Sequence, residues 1–258
     1  MKVLILAGGR GTRLGEETQL RPKPMVEIGD KPILWHIMKI YSHYGFDDFV
    51  VLGGYKSDMI KDWFVNYGLE YQGDTIDLSE KSVEMKRGCA ENWKVCVLNT
   101  GLDTMTGSRI KKVASLIGDD GFLLTYGDGV SNVDIRAVIE QHRRSGKVVT
   151  LSAVQPLGRW GAVEAAADGT ILSFEEKPQG DGGWINGGFF VCDKEAFDYI
   201  GDGDDVIWER EPLKTMAARG KLGAYKHHGF WHPMDMLRDK ILLNDMWATG
   251  DAPWKVWK

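Results

Sequence analysis

Lys2-Val-Leu-Ile-Leu-Ala-Gly-Gly-Arg-Gly-Thr-Arg-Leu14, followed nine residues later by Lys23 in Arg21-Pro-Lys-Pro-Met25, is the stretch on which the rest of the chain turns. A short run of Val, Leu and Ile reads as a buried strand, and Gly8, Gly9 and Gly11 free the backbone as it leaves the sheet. Oligophosphates need backbone N–H donors at close range and cations nearby, so the spacing predicts a phosphate loop served by Arg10, Arg13, Arg21 and Lys23. Two common glycine motifs are excluded. A dinucleotide fingerprint from Gly9 would require glycine where Leu14 stands, and no G-x-x-x-x-G-K-[ST] is present. Taken alone, the same residues also read as a plain turn with surface arginines.

The 258 residues are enough to bury about three quarters of the unfolded surface, as one large α/β domain or one domain with an extension. No apolar run is long enough to cross a membrane and the first residues do not read as a signal peptide, so a cytoplasmic protein is expected. Cys89, Cys96 and Cys192 lack C-x-x-C spacing and predict reduced thiols rather than disulfides or a zinc site. A formal charge of −5 argues against a nucleic-acid surface. Within residues 1–40, however, Lys2, Arg10, Arg13, Arg21, Lys23, Lys31 and Lys39 outnumber Glu16, Glu17, Glu27 and Asp30, which suits a small anionic ligand.

Outward from the loop, Pro32 opens a predicted helix carrying Ile33, Leu34, Ile37, Met38 and Tyr41 until Gly45. A strand at 48–54 and a helix capped by Ser57 give a β-α-β-α start, hence a mainly parallel sheet whose ligands bind at the strands' carboxyl ends. Residues 68–94 read as a charged hairpin, with a surface insertion, an oligomer contact or an active-site rim as its alternatives. A strand at 95–99 follows. Thr104-Met-Thr-Gly-Ser-Arg109 then opens a predicted helix to Gly118, whose first turn suits a polar or anionic group or a plain cap.

The strand 122–126 ends in Gly127-Asp-Gly129, where a carboxylate between glycines could hold a divalent cation or form a routine turn. A helix at 132–145, a strand at 148–153, a hairpin over 162–177 and a second glycine-rich approach at 182–191 follow. His227, His228 and His232 read as packing or surface groups, since neighbours on an extended segment face opposite ways. Asp235 stands at a helix start, either as a first-turn acid or as a second metal carboxylate.

Gly8-Gly-Arg-Gly-Thr-Arg-Leu14, Arg21-Pro-Lys-Pro-Met25, Gly127-Asp-Gly129, Phe174-Glu-Glu-Lys-Pro178, Asn186-Gly-Gly188 and Met234-Asp235 resemble, in order and spacing, the sugar-1-phosphate nucleotidylyltransferases. Lys31-Pro-Ile-Leu-Trp-His-Ile-Met-Lys39, Thr106-Gly-Ser-Arg-Ile-Lys111, Tyr126-Gly-Asp-Gly-Val130 and the 68–94 insertion look like the branch that joins CTP to glucose 1-phosphate. The resemblance implies a Rossmann-like fold with a mixed, largely parallel sheet and a sugar-binding extension. It divides the chain into a nucleotide-binding core at 1–155 and a sugar-binding part with a C-terminal helix at 156–258.

By the same resemblance Leu6, Ala7, Gly8, Gly9, Gly11, Thr12, Arg13, Lys23, Thr104, Arg109 and Gly127 meet the nucleotide, and Gly161, Glu176, Lys177 and Asn186 the sugar phosphate. Asp128 and Asp235 hold Mg²⁺, and Arg13, Lys23, Asp128 and Lys177 carry catalysis. The substrates implied are CTP and glucose 1-phosphate, with no nucleic-acid or membrane partner. A homo-oligomer is expected from the insertion and the many tryptophans. The same chemistry on UTP, dTTP or GTP, a non-catalytic sugar-nucleotide sensor and a nicotinamide oxidoreductase are the rival readings.

Overall fold

A computed structural model describes residues 1–69, 75–77, 82–84, 91–156, 162–166, 168–175 and 183–258. Among them the central sheet has seven strands. In chain order these are β1 (Lys2–Ala7), β2 (Asp48–Gly53), β3 (Lys94–Asn99), β4 (Phe122–Tyr126), β5 (Val149–Val154), β6 (Ile185–Cys192) and β7 (Leu222–His227). Across the sheet the order is β7-β5-β6-β4-β1-β2-β3. β6 runs antiparallel to β4 and β5, and the remaining pairings are parallel. The mixed, largely parallel sheet expected from the sequence is the one observed.

β1 lies at the middle because both of its faces are apolar. Val3, Ile5 and Ala7 pack on one side with helix Ile33–His43, Phe49 and Val51. Leu4 and Leu6 pack on the other with Ile110, Phe122, Trp208 and Met216. Period-two alternation thus feeds two cores, the pattern of a parallel strand covered on both faces. Each fully buried Leu or Ile here contributes about 2 kcal/mol relative to exposure.

The chain leaves β1 for β2 and β3 on one side, then returns to β4 on the other. The crevice at such a reversal is where ligands bind in open α/β sheets. The carboxyl ends of β1 and β4 carry Gly8 and Gly127, and Gly127 N–H donates to the Leu6 carbonyl at 2.9 Å.

Several local expectations shift. Ser57 is the first residue of helix Ser57–Leu69 rather than its cap, and its N–H donates to Gly54. Helix Thr106–Lys111 stops after six residues, and Ala114–Leu116 continues as a tighter 3₁₀ turn, so the single helix to Gly118 is broken in two. Helix Ile135–Ser145 starts later than expected because Asp134 caps it, accepting from Ala137 N–H at 3.0 Å. In the insertion, Thr75–Asp77 pairs antiparallel with Ser82–Glu84, the two-stranded hairpin expected there. Its remaining residues 70–74, 78–81 and 85–90 lie outside the described ones.

The far end of the chain closes one face of the sheet. Helix Leu237–Thr249 is held to the turn at Gly29 by Asn244, whose Oδ1 accepts the Gly29 N–H at 2.8 Å. Beyond Gly250, Trp254 packs edge-on and Trp257 at a tilt against a fully buried His36. That ring contacts the Ile28 carbonyl at 2.9 Å and the Trp254 indole N–H at 3.3 Å, so Nε2 must donate and Nδ1 accept. Burial holds its pKa down at about 4.

Candidate functional site

Two carboxylates separated by most of the chain meet at one lysine. Lys23 Nζ lies 2.6 Å from Asp128 Oδ2 and 2.6 Å from Asp235 Oδ1. The two oxygens are therefore no further apart than twice that distance. Arg13 reaches the other oxygen of Asp235 at 3.0 Å. Burial opposes the charge on Lys23, but the two acids outweigh it and hold its pKa above the ordinary lysine value.

Backbone pairing explains the convergence. Directly after Asp128, Gly129–Ser131 forms an antiparallel ladder with Trp231–Pro233, Gly129 opposite Pro233. The Asp128 carbonyl accepts the Met234 N–H at 2.8 Å, so Asp235 emerges beside Asp128. Asp239 fixes its backbone, accepting from the N–H groups of Asp235 at 2.9 Å and Met236 at 2.8 Å. Lys23 is delivered by a 3₁₀ turn, Lys23–Met25, between Pro22 and Val26. Gly11 has to be glycine above it: φ is +63°, and a Cβ would sit 2.9 Å from that of Lys23.

Two cavities open on either side of this cluster. One, of about 340 Å³, is lined by Leu6, Ala7, Gly8, Gly9, Gly11, Thr12, Arg13, Lys23, Pro24, Thr104, Met105, Thr106, Arg109, Tyr126, Gly127 and Asp128. Every position that the sequence assigned to the nucleotide lies on it. The other, of about 290 Å³, is lined by Arg13, Thr125, Tyr126, Asp128, Gly129, Asn186, Gly187, Gly188, Phe189, Trp231, Pro233 and Asp235. Arg13, Tyr126 and Asp128 form the wall common to both. Gly161, Glu176 and Lys177 lie outside the described residues.

The four cations expected at the loop divide into pairs. Arg13 and Lys23 line the cavities, whereas Arg10 pairs with exposed Asp103 at 3.0 Å and Arg21 with Glu27 at 2.6 Å, away from both. Attraction to a nearer carboxylate decides where these long side chains lie.

Arg109 is buried and its guanidinium donates to the carbonyls of Gly8, Gly53, Gly101 and Leu102 and to the Thr100 hydroxyl. It is a strut beneath the cavity that ties the ends of β1, β2 and β3 together. Gly8 serves this strut: a Cβ there would lie 2.3 Å from the Arg109 Cζ, and one at Gly54 would lie 2.6 Å from a guanidinium nitrogen. Gly9 has open space around it.

The first turn of helix Thr106–Lys111 is likewise occupied from within. Met105 N–H donates to the Asp204 carbonyl, and Gly107 and Ser108 N–H donate to that of Val206, so these amides do not face the cavity. Thr104 donates its hydroxyl to the Thr100 carbonyl at 2.8 Å.

A polar chain unforeseen in the sequence crosses the shared wall. Asn186 Nδ2 donates to the Tyr126 hydroxyl at 3.0 Å, and Tyr126 donates to Glu209 at 2.6 Å. Thr106 donates to the other Glu209 oxygen at 2.8 Å. Trp231 Nε1 donates to the Gly187 carbonyl at 2.7 Å, clasping the two sides of the smaller cavity. Asn186 and Tyr126 lie in glycine-containing segments that the sequence offers, whereas no glycine or charge motif marks Glu209. Among the described residues, no group of three or more His, Cys, Asp or Glu side chains gathers as a metal site, and no helix is long and apolar enough to cross a membrane. His227 is buried in β7 with its Nε2 3.2 Å from the Phe230 carbonyl, a packing position.

A carboxylate-lysine cluster between two cavities, at the reversal point of a largely parallel sheet, offers charged groups to two ligands that would meet there. The chain belongs to the nucleotidyl transferase family, whose profile matches residues 2–231. It is 52% identical to the glucose-1-phosphate cytidylyltransferase of Salmonella typhimurium over the whole length of both chains. It is 43% identical, again over both full lengths, to a protein of Bacillus subtilis named probable glucose-1-phosphate cytidylyltransferase. Among solved structures, HddC from Yersinia pseudotuberculosis superposes with a TM-score of 0.69 at 26% identity, covering 95% of this chain and 99% of that one. An apo UDP-glucose pyrophosphorylase, 17% identical with a TM-score of 0.67, covers 96% of this chain and 98% of its own and shares the fold.

Proposed function

We propose that this nucleotidyltransferase moves a cytidylyl group from CTP to α-D-glucose 1-phosphate, giving CDP-glucose and pyrophosphate. The observation that carries the reading is the meeting of the two cavities at Lys23, Asp128, Asp235 and Arg13. The full-length identity to the Salmonella enzyme supports the choice of base and sugar.

In this reading the larger cavity takes the nucleotide and the smaller one the sugar phosphate, with Asn186 beside the sugar. The attacking phosphate oxygen is already ionised at neutral pH, so no general base is needed and positioning with charge neutralisation carries the rate. Arg13, on the common wall, faces both substrates and stabilises the departing pyrophosphate. Lys23 offsets the charge of the approaching phosphate, and Lys177 is proposed to assist it.

Asp128 and Asp235 suit Mg²⁺: they are hard oxygen donors from two parts of the chain, and a magnesium site commonly has one or two carboxylates with phosphates and water completing it. When bound, the ion would polarise the α-phosphate and template both reacting oxygens. Lys23 bridges the two acids and Arg13 adds a second positive charge at Asp235, so both cations stand where the charge of the substrates would gather. Pyrophosphate release with CTP, UTP, dTTP and GTP, each with glucose 1-phosphate, tests the proposal. CTP should be fastest by at least about tenfold; equal rates overturn the base assignment, and no release with any of the four overturns the transferase reading.

A further inference from the structure

Glu209 accepts two hydroxyl hydrogen bonds and sits at the junction of the two cavities without lining either. Thr106 Oγ1 already accepts the Trp208 N–H at 2.9 Å, so its own proton is turned to Glu209 at 2.8 Å. Tyr126 stands on the shared wall, and its hydroxyl has Asn186 on one side at 3.0 Å and Glu209 on the other at 2.6 Å. An ionised carboxylate can only accept, which makes Tyr126 donate to it and accept from Asn186. The amide of Asn186 is pinned independently. Its Oδ1 accepts the Gly188 N–H at 2.9 Å, and the reverse orientation would set an NH₂ against that N–H. One Nδ2 proton then goes to Tyr126 and the other remains.

We infer that Glu209 is a positioning residue: by taking the Tyr126 proton it turns the Tyr126 hydroxyl into an acceptor for one Asn186 Nδ2 proton, and so holds the other Nδ2 proton towards a sugar oxygen in the smaller cavity. The inference rests on the proposed assignment of that cavity to the sugar phosphate. Glu209 also binds Thr106, on the wall of the larger cavity, so one carboxylate braces a side chain in each compartment.

The test is a double-mutant cycle on Glu209→Ala and Tyr126→Phe, read as separate KM values for CTP and glucose 1-phosphate. Each single variant should raise the sugar-phosphate KM about tenfold, the size of one lost hydrogen bond, with a much smaller change for CTP. The double variant should be no worse than either single one, because Glu209 acts through Tyr126. Glu209→Gln can still accept from Tyr126 while turning its NH₂ to Thr106 Oγ1, and should restore most of the sugar-phosphate affinity. Additive losses, or equal KM increases for both substrates, overturn the inference. A readout without substrates separates it from the transferase reading: exchange of the Asn186 Nδ2 proton bonded to Tyr126, followed by NMR in the ligand-free protein. Exchange should be slow in the wild type and in Glu209→Gln, and fast in Glu209→Ala and Tyr126→Phe. Unchanged protection in Glu209→Ala refutes the role of Glu209 even if turnover is normal. Absence of turnover in a wild type whose protection pattern is as expected refutes the assigned reaction alone.

Discussion

The larger cavity takes its largest single share of wall from one stretch, residues 6–13, with Lys23 and Pro24 close behind and the rest from residues 104–109 and 126–128, while the smaller one takes its walls from Arg13 and from residues 125–129, 186–189 and 231–235. In the first, that stretch is a local loop stiffened from below by Arg109. The second exists only because β6 inserts beside β4 and because Trp231–Pro233 pairs with Gly129–Ser131. The cradle proposed for the nucleotide phosphates thus draws much of its wall from neighbouring residues, whereas the compartment proposed for the sugar depends on long-range pairing. Asp128 belongs to both walls, and the largest predicted effect falls there. Asp128→Asn keeps the shape and removes the charge, and is expected to lower kcat by at least about a hundredfold, comparable to losing a transition-state electrostatic contact. Near-normal Mg²⁺-dependent turnover in that variant would separate the two cavities from the chemistry.

The same contrast governs what could be read in advance. β1, its two apolar faces and the carboxylate after β4 were legible because strand periodicity and glycine spacing are local signals. The positions assigned to the larger cavity do line it, and Gly8 and Arg109 are in addition packed against each other beneath it. No spacing rule reveals that a guanidinium from residue 109 fills the hollow left by Gly8 and Gly54. Its position at a helix start left Asp235 between a first-turn acid and a second metal carboxylate, because its partner Asp128 is brought near only by a ladder of three residue pairs. Glu209 carried no signal, and Tyr126 and Trp231 were not singled out as site residues, since a polar chain formed by strand packing has no sequence period.

Gly8 and Gly9 give the next sharpest test, since they are adjacent and differ in what a methyl would meet. Gly8→Ala drives a Cβ to 2.3 Å from the Arg109 Cζ and must break part of that hydrogen-bonded strut, whereas the same change at Gly9 meets nothing within 4 Å. Overpacking with lost buried hydrogen bonds predicts about 3 kcal/mol of destabilisation for Gly8→Ala. Gly9→Ala should stay within about 0.5 kcal/mol. Urea unfolding midpoints measure both, and equal midpoints would mean that the strut yields freely.

His36 lies in the tryptophan cluster at neither cavity, so it loads stability and not catalysis. Its pKa falls from 6.5 in the unfolded chain to about 4 in the folded one because burial disfavours the charged ring. Between those values the unfolded state binds the extra proton, so stability is complete above pH 6.5 and declines as pH drops towards 4. The slope from this residue is about 1.4 kcal/mol per pH unit, on the order of 3 kcal/mol in all. His227, also lowered by burial, adds in the same direction. Denaturant titrations at pH 7, 5.5 and 4.5 should show the loss, and His36→Gln should flatten the slope by about one proton; an unchanged slope would assign the acid sensitivity elsewhere.

The smallest effect concerns the two loop arginines that the structure turns apart. Arg13 reaches Asp235 at 3.0 Å and lines both cavities, while Arg10 pairs at 3.0 Å with Asp103, whose side chain is 82% exposed. An ion pair in that much water contributes at most about 1 kcal/mol and is screened by salt. Arg10→Ala should therefore leave kcat within about twofold and alter the nucleotide KM only slightly, with the difference vanishing at high ionic strength. Arg13→Ala, measured beside it, should lose turnover whatever the salt, because its partner and both cavities remain in place while the charge between them is gone. If the two variants behaved alike, the loop would be acting as a diffuse basic patch, and the distinction between a cavity-facing arginine and a rim arginine would carry no functional weight.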